Sequence, residues 1–196
     1  MTSAPRERLG IFGGTFDPVH VGHVVAAVEV RAALQLDQVL LVVAGDPWQK
    51  RGEVVASAAD RLAVVRAAVE GVDGIAASDL EVQRTGATYT IDTVQELRSP
   101  SRELFLVVGA DVAPRLDTWR DAGTLRQLVT LAIVTREGDV GDAPEGWTCC
   151  RITIPRLDVS STDLRERLAR GRPIDGLVPP GAVRIIRERR LYTPNR

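Results

Sequence analysis

The fold is decided by one stretch of the chain, which reads Gly13-Gly14-Thr15-Phe16-Asp17-Pro18-Val19-His20-Val21-Gly22-His23. A short apolar run at 9–12 precedes it, and a run rich in alanine and valine at 24–34 follows it. Strand, glycine turn and helix in this order form the usual phosphate-binding layout of α/β proteins. The two glycines remove the side chains that would keep a ligand phosphate away from the backbone. The stretch therefore predicts an anion-binding site at the start of the first helix.

Both histidines of the chain lie in this stretch. If the helix begins near Pro18 or Val19, His20 and His23 fall on one face of its first turn. Two imidazoles beside a helix N-terminus can bind an anion and follow its charge through a reaction. The residues alone leave two other interpretations open, an incidental pair in a plain Rossmann-type turn and a metal site. A zinc site would need distant carboxylates as further ligands, because no cysteines cluster with the histidines.

Length and charge limit the class of protein. The 196 residues predict one domain, or one domain with an appended lobe, and the net charge of −1 gives no general attraction to nucleic acid or to an anionic membrane. No apolar run approaches the roughly 20 residues that span a membrane. Residues 1–8 lack the apolar core of a signal peptide. We therefore expect a cytoplasmic protein.

Apolar runs alternate with helical patterns along the chain, which is typical of an α/β protein. The continuous run at 38–44 is expected of a strand buried on both faces of a parallel sheet, and Ser57 is expected to cap the helix that follows. Cys149 and Cys150 would point to opposite faces of a strand, so we predict reduced cysteines. These runs predict an α/β protein with a parallel sheet and with strands near 8–12, 38–44, 74–78, 104–108, 131–134 and 148–154.

Three further side chains are candidate ligand contacts, and two of them, Lys50 and Arg136, follow predicted strands, where ligands bind in open α/β sheets. Lys50 can reach a phosphate from the loop after 38–44, and a solvated loop is the alternative. Trp119 offers an aromatic face to a cationic ring, and a core position is the alternative. Arg136 can reach a ligand from its strand end, and an exposed arginine is the alternative.

Two predicted helix starts offer backbone N–H groups to an anion. Thr88 or Thr90 can cap the first of these helices. Ser160 or Ser161 can cap the second, and Arg165, expected within its first turn, offers a planar fork to phosphate oxygens. An ordinary capped helix without a ligand is the alternative at both places.

Three motifs carry a family resemblance. Residues 13–23 resemble the signature of the nucleotidyltransferase superfamily, whose H-x-G-H motif is His20-Val21-Gly22-His23 here. Val159-Ser160-Ser161-Thr162-Asp163-Leu164-Arg165 resembles the I-S-S-T-x-[IV]-R motif of the same superfamily. The pattern E-x-x-R-x-G-x-[ST]-Y-T-x-D-T of bacterial nicotinate-nucleotide adenylyltransferases is matched at Glu81, Arg84, Gly86, Thr88, Tyr89, Thr90, Asp92 and Thr93. The chain departs from many relatives at their P-x-H-K loop, where Trp48-Gln49-Lys50 lacks the histidine.

The resemblance implies adenylyl transfer from ATP to nicotinate mononucleotide, with Mg²⁺ bound through the ATP phosphates and no metal held by the protein itself. It implies the fold class α/β, a doubly wound Rossmann-like parallel sheet with helices on both faces. It also implies one domain, 1–196, whose helical part from about 160 packs beside the ATP site. The implied catalytic residues are His20, His23 and Arg165. Those implied to bind ATP are Gly13, Gly14, Thr15, Phe16, Gly109, Asp111, Ser160, Ser161 and Thr162. Those implied to bind nicotinate mononucleotide are Lys50, Thr88, Tyr89, Trp119 and Arg136.

ATP and nicotinate mononucleotide are thus the expected partners, with neither nucleic acid nor membrane, and the sequence leaves a homo-oligomer open. Three alternatives remain. Pantetheine-phosphate adenylyltransferase shares the phosphate motif, but residues 81–93 argue against it. Nicotinamide mononucleotide is a rival substrate that lacks the carboxylate. A non-catalytic nucleotide-sensing module is the alternative from another class, and the intact His20, His23 and Arg165 argue against it.

Overall fold

The computed structural model describes residues 6–47, 55–136 and 144–193. Its strands are β1 (Glu7–Gly14), β2 (Gln38–Val43), β3 (Ile75–Ser78), β4 (Arg102–Gly109), β5 (Thr130–Arg136) and β6 (Cys149–Ile154). Its helices are α1 (Val21–Ala33), α2 (Ala58–Val69), α3 (Thr90–Leu97), α4 (Ala122–Leu128), α5 (Ser161–Ala169) and α6 (Pro180–Glu188), with a 3₁₀ helix at Ala113–Thr118. The strands form one six-stranded sheet in the order β3-β2-β1-β4-β5-β6.

The sheet is parallel, and its strand order reverses at β1. Leu9 of β1 lies opposite Leu104 of β4, and β4, β5 and β6 continue in the same direction. On the other side, Arg8 and Gly14 accept hydrogen bonds from the two ends of β2. The long buried runs of β4 and β5 are those of strands covered on both faces. The predicted α/β class is confirmed, and residues 13–23 begin at the carboxyl end of the strand where ligands bind in such sheets.

The chain divides into two compact units. Of the described residues, the first unit contains 6–13, 26–40, 89–136 and 144–156. Buried apolar side chains of β1, β4 and β5 form much of its core, among them Leu9, Phe105, Leu106, Leu131 and Ile133. Cys149 and Cys150 lie here in β6 and are both free thiols, as predicted.

The second unit contains residues 14–25, 41–47, 55–88 and 157–193 of the described chain. Helix α2 packs against α6 and β3 in this unit. Gly181 lets α6 approach α2 closely, because a Cβ at this position would overlap the carbonyl oxygen of Ala67. No helix in the described part of the chain is long and apolar enough to cross a membrane. The single-domain organisation stays a prediction.

Ser57 caps α2 as predicted. Its Oγ accepts a hydrogen bond from the Asp60 N–H at 3.1 Å and donates one to the Asp60 carboxylate at 2.6 Å. Arg189 donates a second hydrogen bond to this carboxylate at 2.8 Å. Together the bonds from Ser57 and Arg189 hold the pKa of Asp60 below its ordinary value of 3.8.

Replacing Ser57→Ala is expected to lower the free energy of unfolding by about 1 kcal/mol near neutral pH. Because the native pKa of Asp60 is depressed, its contribution is present above the unfolded-state pKa and is lost as the pH falls through the native pKa. The penalty should therefore shrink on acidification from about pH 6 to about pH 3. Urea unfolding of both proteins at the two pH values measures it, and an equal penalty at both would contradict the assignment.

Candidate active site

A short loop connects β1 to α1, and we call residues 15–20 the histidine loop. Strand β1 runs through Gly14, so Gly13 and Gly14 are strand residues and not the predicted turn. A Cβ on Gly14 would come within 2.7 Å of the Phe16 ring, whose residue has a φ of 51°. Gly14 therefore makes room for this aromatic ring. Gly13 is exposed, and a Cβ there would meet no described atom within 4 Å.

The two imidazoles of the site are in contact. The ring centroids of His20 and His23 lie 3.7 Å apart at an interplanar angle of 31°, and the Phe16 ring meets His23 edge-on at 5.0 Å. His20 is only 8% exposed. A Cβ on Gly22 would lie 3.1 Å from two atoms of the His20 ring, which explains the glycine between the histidines. The two imidazoles therefore lie side by side in the structure.

The position of His20 relative to the helix differs from the prediction. Helix α1 begins at Val21, later than the 18 or 19 that would place both histidines in its first turn, so His20 precedes the helix and only His23 lies in that turn. The backbone N–H of His20 donates to Nδ1 of His23 at 3.2 Å. A side chain at the third helical position thus binds the N–H just before the helix, as the acid of a capping box does. In neutral His23 this contact leaves the ring proton on Nε2.

Helix α5 meets the histidine loop through its first turns. Ser160 caps the helix as predicted, accepting from the N–H of Asp163 at 3.1 Å. Ser161 Oγ donates to the carbonyl oxygen of Pro18 at 2.9 Å. Both residues therefore hold the start of α5, which offers backbone donors to an anion.

Arg165 binds the same loop. Its Nη1 donates to the carbonyl oxygen of Asp17 at 2.7 Å, and its Nη2 donates to Thr162 Oγ1 at 3.3 Å. Since α5 begins at Ser161, Arg165 lies in the second turn and not in the predicted first turn. The second unit thus brings together a set of predicted residues, namely Gly14, Thr15, Phe16, His20, His23, Ser160, Ser161, Thr162 and Arg165.

Three buried side chains were not predicted, namely Asp17 of the histidine loop and Arg61 and Tyr192, which contact this loop. The Asp17 carboxylate accepts from Tyr192 Oη at 2.8 Å and from the backbone N–H groups of Val55 and Ala56 at 2.8 and 3.1 Å. Arg61, 1% exposed, donates from Nη1 to the carbonyl oxygen of Thr15 at 2.7 Å. The motif contained Asp17, but the spacing along the chain gives no signal for either of its distant neighbours.

The first unit holds the predicted residues that follow β4. A Cβ on Gly109 would overlap the carboxylate of Asp111, which is exposed. Trp119 follows the 3₁₀ helix with an extended backbone and is only partly buried, so it is not a core tryptophan. The buried indole in this region is Trp147, whose Nε1 donates to the Asp117 carboxylate at 3.1 Å.

The start of α3 differs from the prediction. The residue preceding this helix is Tyr89, whose side chain makes no capping hydrogen bond, so neither Thr88 nor Thr90 is the predicted cap. Tyr89 belongs to the first unit, where the Arg120 guanidinium lies over its ring at 4.5 Å. Thr88 belongs to the second unit and is buried, with a relative exposure of 7%.

The remaining predicted residues occupy separate places. Arg136 is the last residue of β5 and is exposed. Lys50 lies outside the described residues, as do its neighbours Trp48 and Gln49. Within the ranges that the structure describes, no three His, Cys, Asp or Glu side chains are grouped as a metal site.

Comparisons with known proteins identify the family of this chain. The cytidylyltransferase-like family model matches residues 11–167. A relative from Corynebacterium kroppenstedtii, named a probable nicotinate-nucleotide adenylyltransferase, is 42% identical over 202 residues, which cover 99% of this chain and 95% of the relative. A relative of the same name from Streptomyces coelicolor is 46% identical over 187 residues, covering 92% and 98%.

Solved structures share the fold. Plasmodium falciparum nicotinic acid mononucleotide adenylyltransferase complexed with APC has a TM-score of 0.75 at 19% identity, covering 95% of this chain and 97% of that one. The same protein complexed with NaAD has a TM-score of 0.74. At this identity the likeness concerns the fold alone, and the sequence matches carry the family assignment. By these matches, the chain belongs to the cytidylyltransferase-like family.

Proposed function

We propose that this protein is a nicotinate-nucleotide adenylyltransferase, which converts ATP and nicotinate mononucleotide into nicotinate adenine dinucleotide and pyrophosphate, a step of NAD biosynthesis. The observation that carries the proposal is the clustering of three side chains at one loop. His20 and His23 are in ring contact, and Arg165 donates to the carbonyl oxygen of Asp17 in the histidine loop. Near-full-length relatives of that name support the choice of substrate.

The proposed reaction does not depend on a strong general base. A phosphate oxygen of nicotinate mononucleotide attacks the α-phosphorus of ATP, and the bond from that phosphorus to the bridging oxygen of the β-phosphate breaks. A phosphate monoester is already anionic near neutral pH, so the nucleophile needs no strong base. Catalysis then depends on positioning and on donors aimed at the charge that develops in the transition state.

The second unit supplies such donors. His23, whose Nδ1 accepts from the backbone, is left with Nε2–H as a donor to a phosphate oxygen. The buried ring of His20 lies against that of His23. In our proposal the two imidazoles contact the reacting phosphates, while Ser160, Ser161, Thr162 and Arg165 hold the leaving pyrophosphate.

Mg²⁺ fits this site as an ion carried by its substrate. When bound, it would neutralise part of the phosphate charge, and Mg²⁺ commonly keeps several of its water ligands. The carboxylate of the histidine loop, Asp17, already accepts three hydrogen bonds from protein groups, and that of Asp163 accepts one from Ser160. Because these carboxylates already bind protein groups, phosphate oxygens and water would supply the magnesium ligands.

Pyrophosphate release tests the proposed function. The enzyme is incubated with ATP and Mg²⁺ and with nicotinate mononucleotide, nicotinamide mononucleotide or phosphopantetheine in parallel reactions, and the dinucleotide product is identified by mass. Release with nicotinate mononucleotide as the preferred substrate is the expected result. Release with phosphopantetheine alone would assign the sister activity, and ATP binding without turnover would favour a nucleotide sensor.

Thr88→Val is expected to reduce kcat/KM for nicotinate mononucleotide by about tenfold and that for ATP by less than about threefold. Thr88 is buried, and valine keeps its shape while it removes the hydroxyl that we propose to face the nicotinate carboxylate. The ratio of kcat/KM for nicotinate mononucleotide to that for nicotinamide mononucleotide should also fall. A site that binds a carboxylate rejects the amide because the amide leaves donors of the site unpaired. Steady-state kinetics with each pyridine nucleotide measure both effects. Equal losses for ATP and the pyridine nucleotide would show that Thr88 has only a packing role.

A further inference from the structure

The histidine loop is held from behind by two long side chains that the reaction itself does not need. We propose that Arg61 and Tyr192 are positioning residues, which fix this loop so that His20 and Arg165 meet the triphosphate in a single geometry. The inference rests on the proposed adenylyl transfer and assigns the buried side of the same site. Hydrogen bonds, burial and charges within the second unit support this inference.

Tyr192 holds the loop through Asp17. Its hydroxyl donates to Oδ1 of this buried carboxylate at 2.8 Å, across 175 positions of the chain. The residue is 8% exposed and has a φ of 63°, a backbone conformation that side-chain-bearing residues rarely adopt. Such a conformation persists only where the surrounding structure enforces it. The chain therefore turns sharply near its described end and places a phenol behind the loop.

Arg61 holds the loop through the backbone. Its Nη1, Nη2 and Nε donate to the carbonyl oxygens of Thr15, Gly45 and Ala56 at 2.7, 3.3 and 3.2 Å. These carbonyls belong to the segments that follow β1 and β2 and precede α2. The planar guanidinium reaches all three at once, whereas the single ammonium of a lysine presents no such fork. Arg61 thus ties the histidine loop to two neighbouring segments.

Arg61, Asp17 and Tyr192 influence one another's protonation. Burial lowers the pKa of Arg61, and the negative charge of Asp17 opposes that effect. Burial, with the charge of Asp17 next in size, raises the pKa of Tyr192, so the hydroxyl stays protonated and remains a donor. Removing one member of such a buried set leaves the others uncompensated.

Asp17 connects this buried set to the reacting groups. Its side chain accepts from Tyr192, while its carbonyl oxygen accepts from Arg165 at 2.7 Å. A shift of Asp17 would therefore displace both the arginine and the loop that leads to His20. Misplacement of reacting groups by about 1 Å can cost on the order of 100-fold in rate.

Single-turnover kinetics test the proposal. Tyr192→Phe removes only the hydroxyl, and Arg61→Lys keeps the charge but removes the fork. With enzyme in excess over nicotinate mononucleotide, each variant should lower the rate constant at saturating ATP by about tenfold, while KM for ATP changes by less than about threefold. Thr193→Val and Arg66→Lys are matched controls on the same segments. Both control residues are exposed, and their rates should equal that of the wild type.

Histidine NMR supplies a readout independent of turnover. The chain contains two histidines, so an untagged protein labelled at histidine nitrogen reports on this site alone. Both test variants should change the imidazole signals, with loss of the single Nε2–H form of His23, and the controls should not. A role confined to overall stability would lower the melting temperature but leave these signals and the single-turnover rate constant unchanged, and this outcome would overturn the proposal.

A double-mutant cycle with Asp17→Ala identifies the route, because the alanine side chain has no acceptor for the Tyr192 hydroxyl. If Tyr192 acts through Asp17, Tyr192→Phe should slow the Asp17→Ala enzyme by less than about twofold. Additive losses would overturn that route. A wild-type protein that transfers no adenylyl group would instead refute the proposed function, and the NMR comparison would still decide whether Tyr192 and Arg61 position the loop. If Arg61→Lys does not fold, Tyr192→Phe carries the test.

Discussion

His20→Ala is expected to lower kcat by about 10² to 10³-fold, with the dissociation constant for ATP changed by less than about threefold. The reason is the place of this imidazole, which is buried, stacked on His23 at 3.7 Å and fixed before the start of α1. Its interaction with the phosphates should strengthen as charge develops in the transition state, so its loss affects turnover more than binding. Single-turnover rates and equilibrium ATP binding separate the two quantities.

Two further variants make this expectation specific. Val28→Ala on the exposed side of α1 should leave kcat unchanged, because Val28 lies on the protein surface. His20→Gln keeps a polar donor and should retain more activity than the alanine variant. Near-normal turnover of His20→Ala would refute the assigned role. A loss confined to ATP affinity would make His20 a ground-state binding residue.

The fold could be predicted because its signals are local. The continuous apolar run at 38–44 and the similar runs at 104–108 and 131–134 became β2, β4 and β5, since strands covered on both faces need little polar patterning. Ser57 capped α2 as expected because a cap is decided within four residues. Helix starts were less certain. Neither threonine near Tyr89 caps α3, which shows that a capping residue type does not guarantee capping geometry.

Sequence motifs identified candidate residues that lie close together along the chain, and they missed residues from distant segments that meet only on folding. His20 and His23 lie in one motif and are in contact, although His20 precedes the helix in which the spacing argument placed it. The spacing did not indicate the contact of Asp17 with Tyr192, because these two residues are 175 positions apart and meet only in the folded chain. Arg61 was missed for another reason. An arginine in a helix normally faces solvent, and its burial here depends on three carbonyl groups that the helix itself does not contain.

Arg165→Met is expected to lower kcat/KM for ATP by about 100-fold or more, and Arg165→Lys by about tenfold. The guanidinium uses Nη1 for the Asp17 carbonyl and Nη2 for Thr162, so it is fixed at the start of α5 before any phosphate arrives. Methionine removes the charge and both contacts. Lysine keeps the charge, but as a point charge it replaces the fork only in part.

Product inhibition distinguishes a contact with the leaving group from a general effect on the loop. If Arg165 holds the departing pyrophosphate, the inhibition constant of pyrophosphate should rise in both variants by a factor similar to the loss in kcat/KM for ATP. Arg170→Lys, an exposed change at the residue that follows α5 and pairs with Glu166, should alter neither quantity. A variant with lower kcat/KM but unchanged pyrophosphate inhibition would place Arg165 with Arg61 and Tyr192, as a residue that acts through the loop and not through the phosphates.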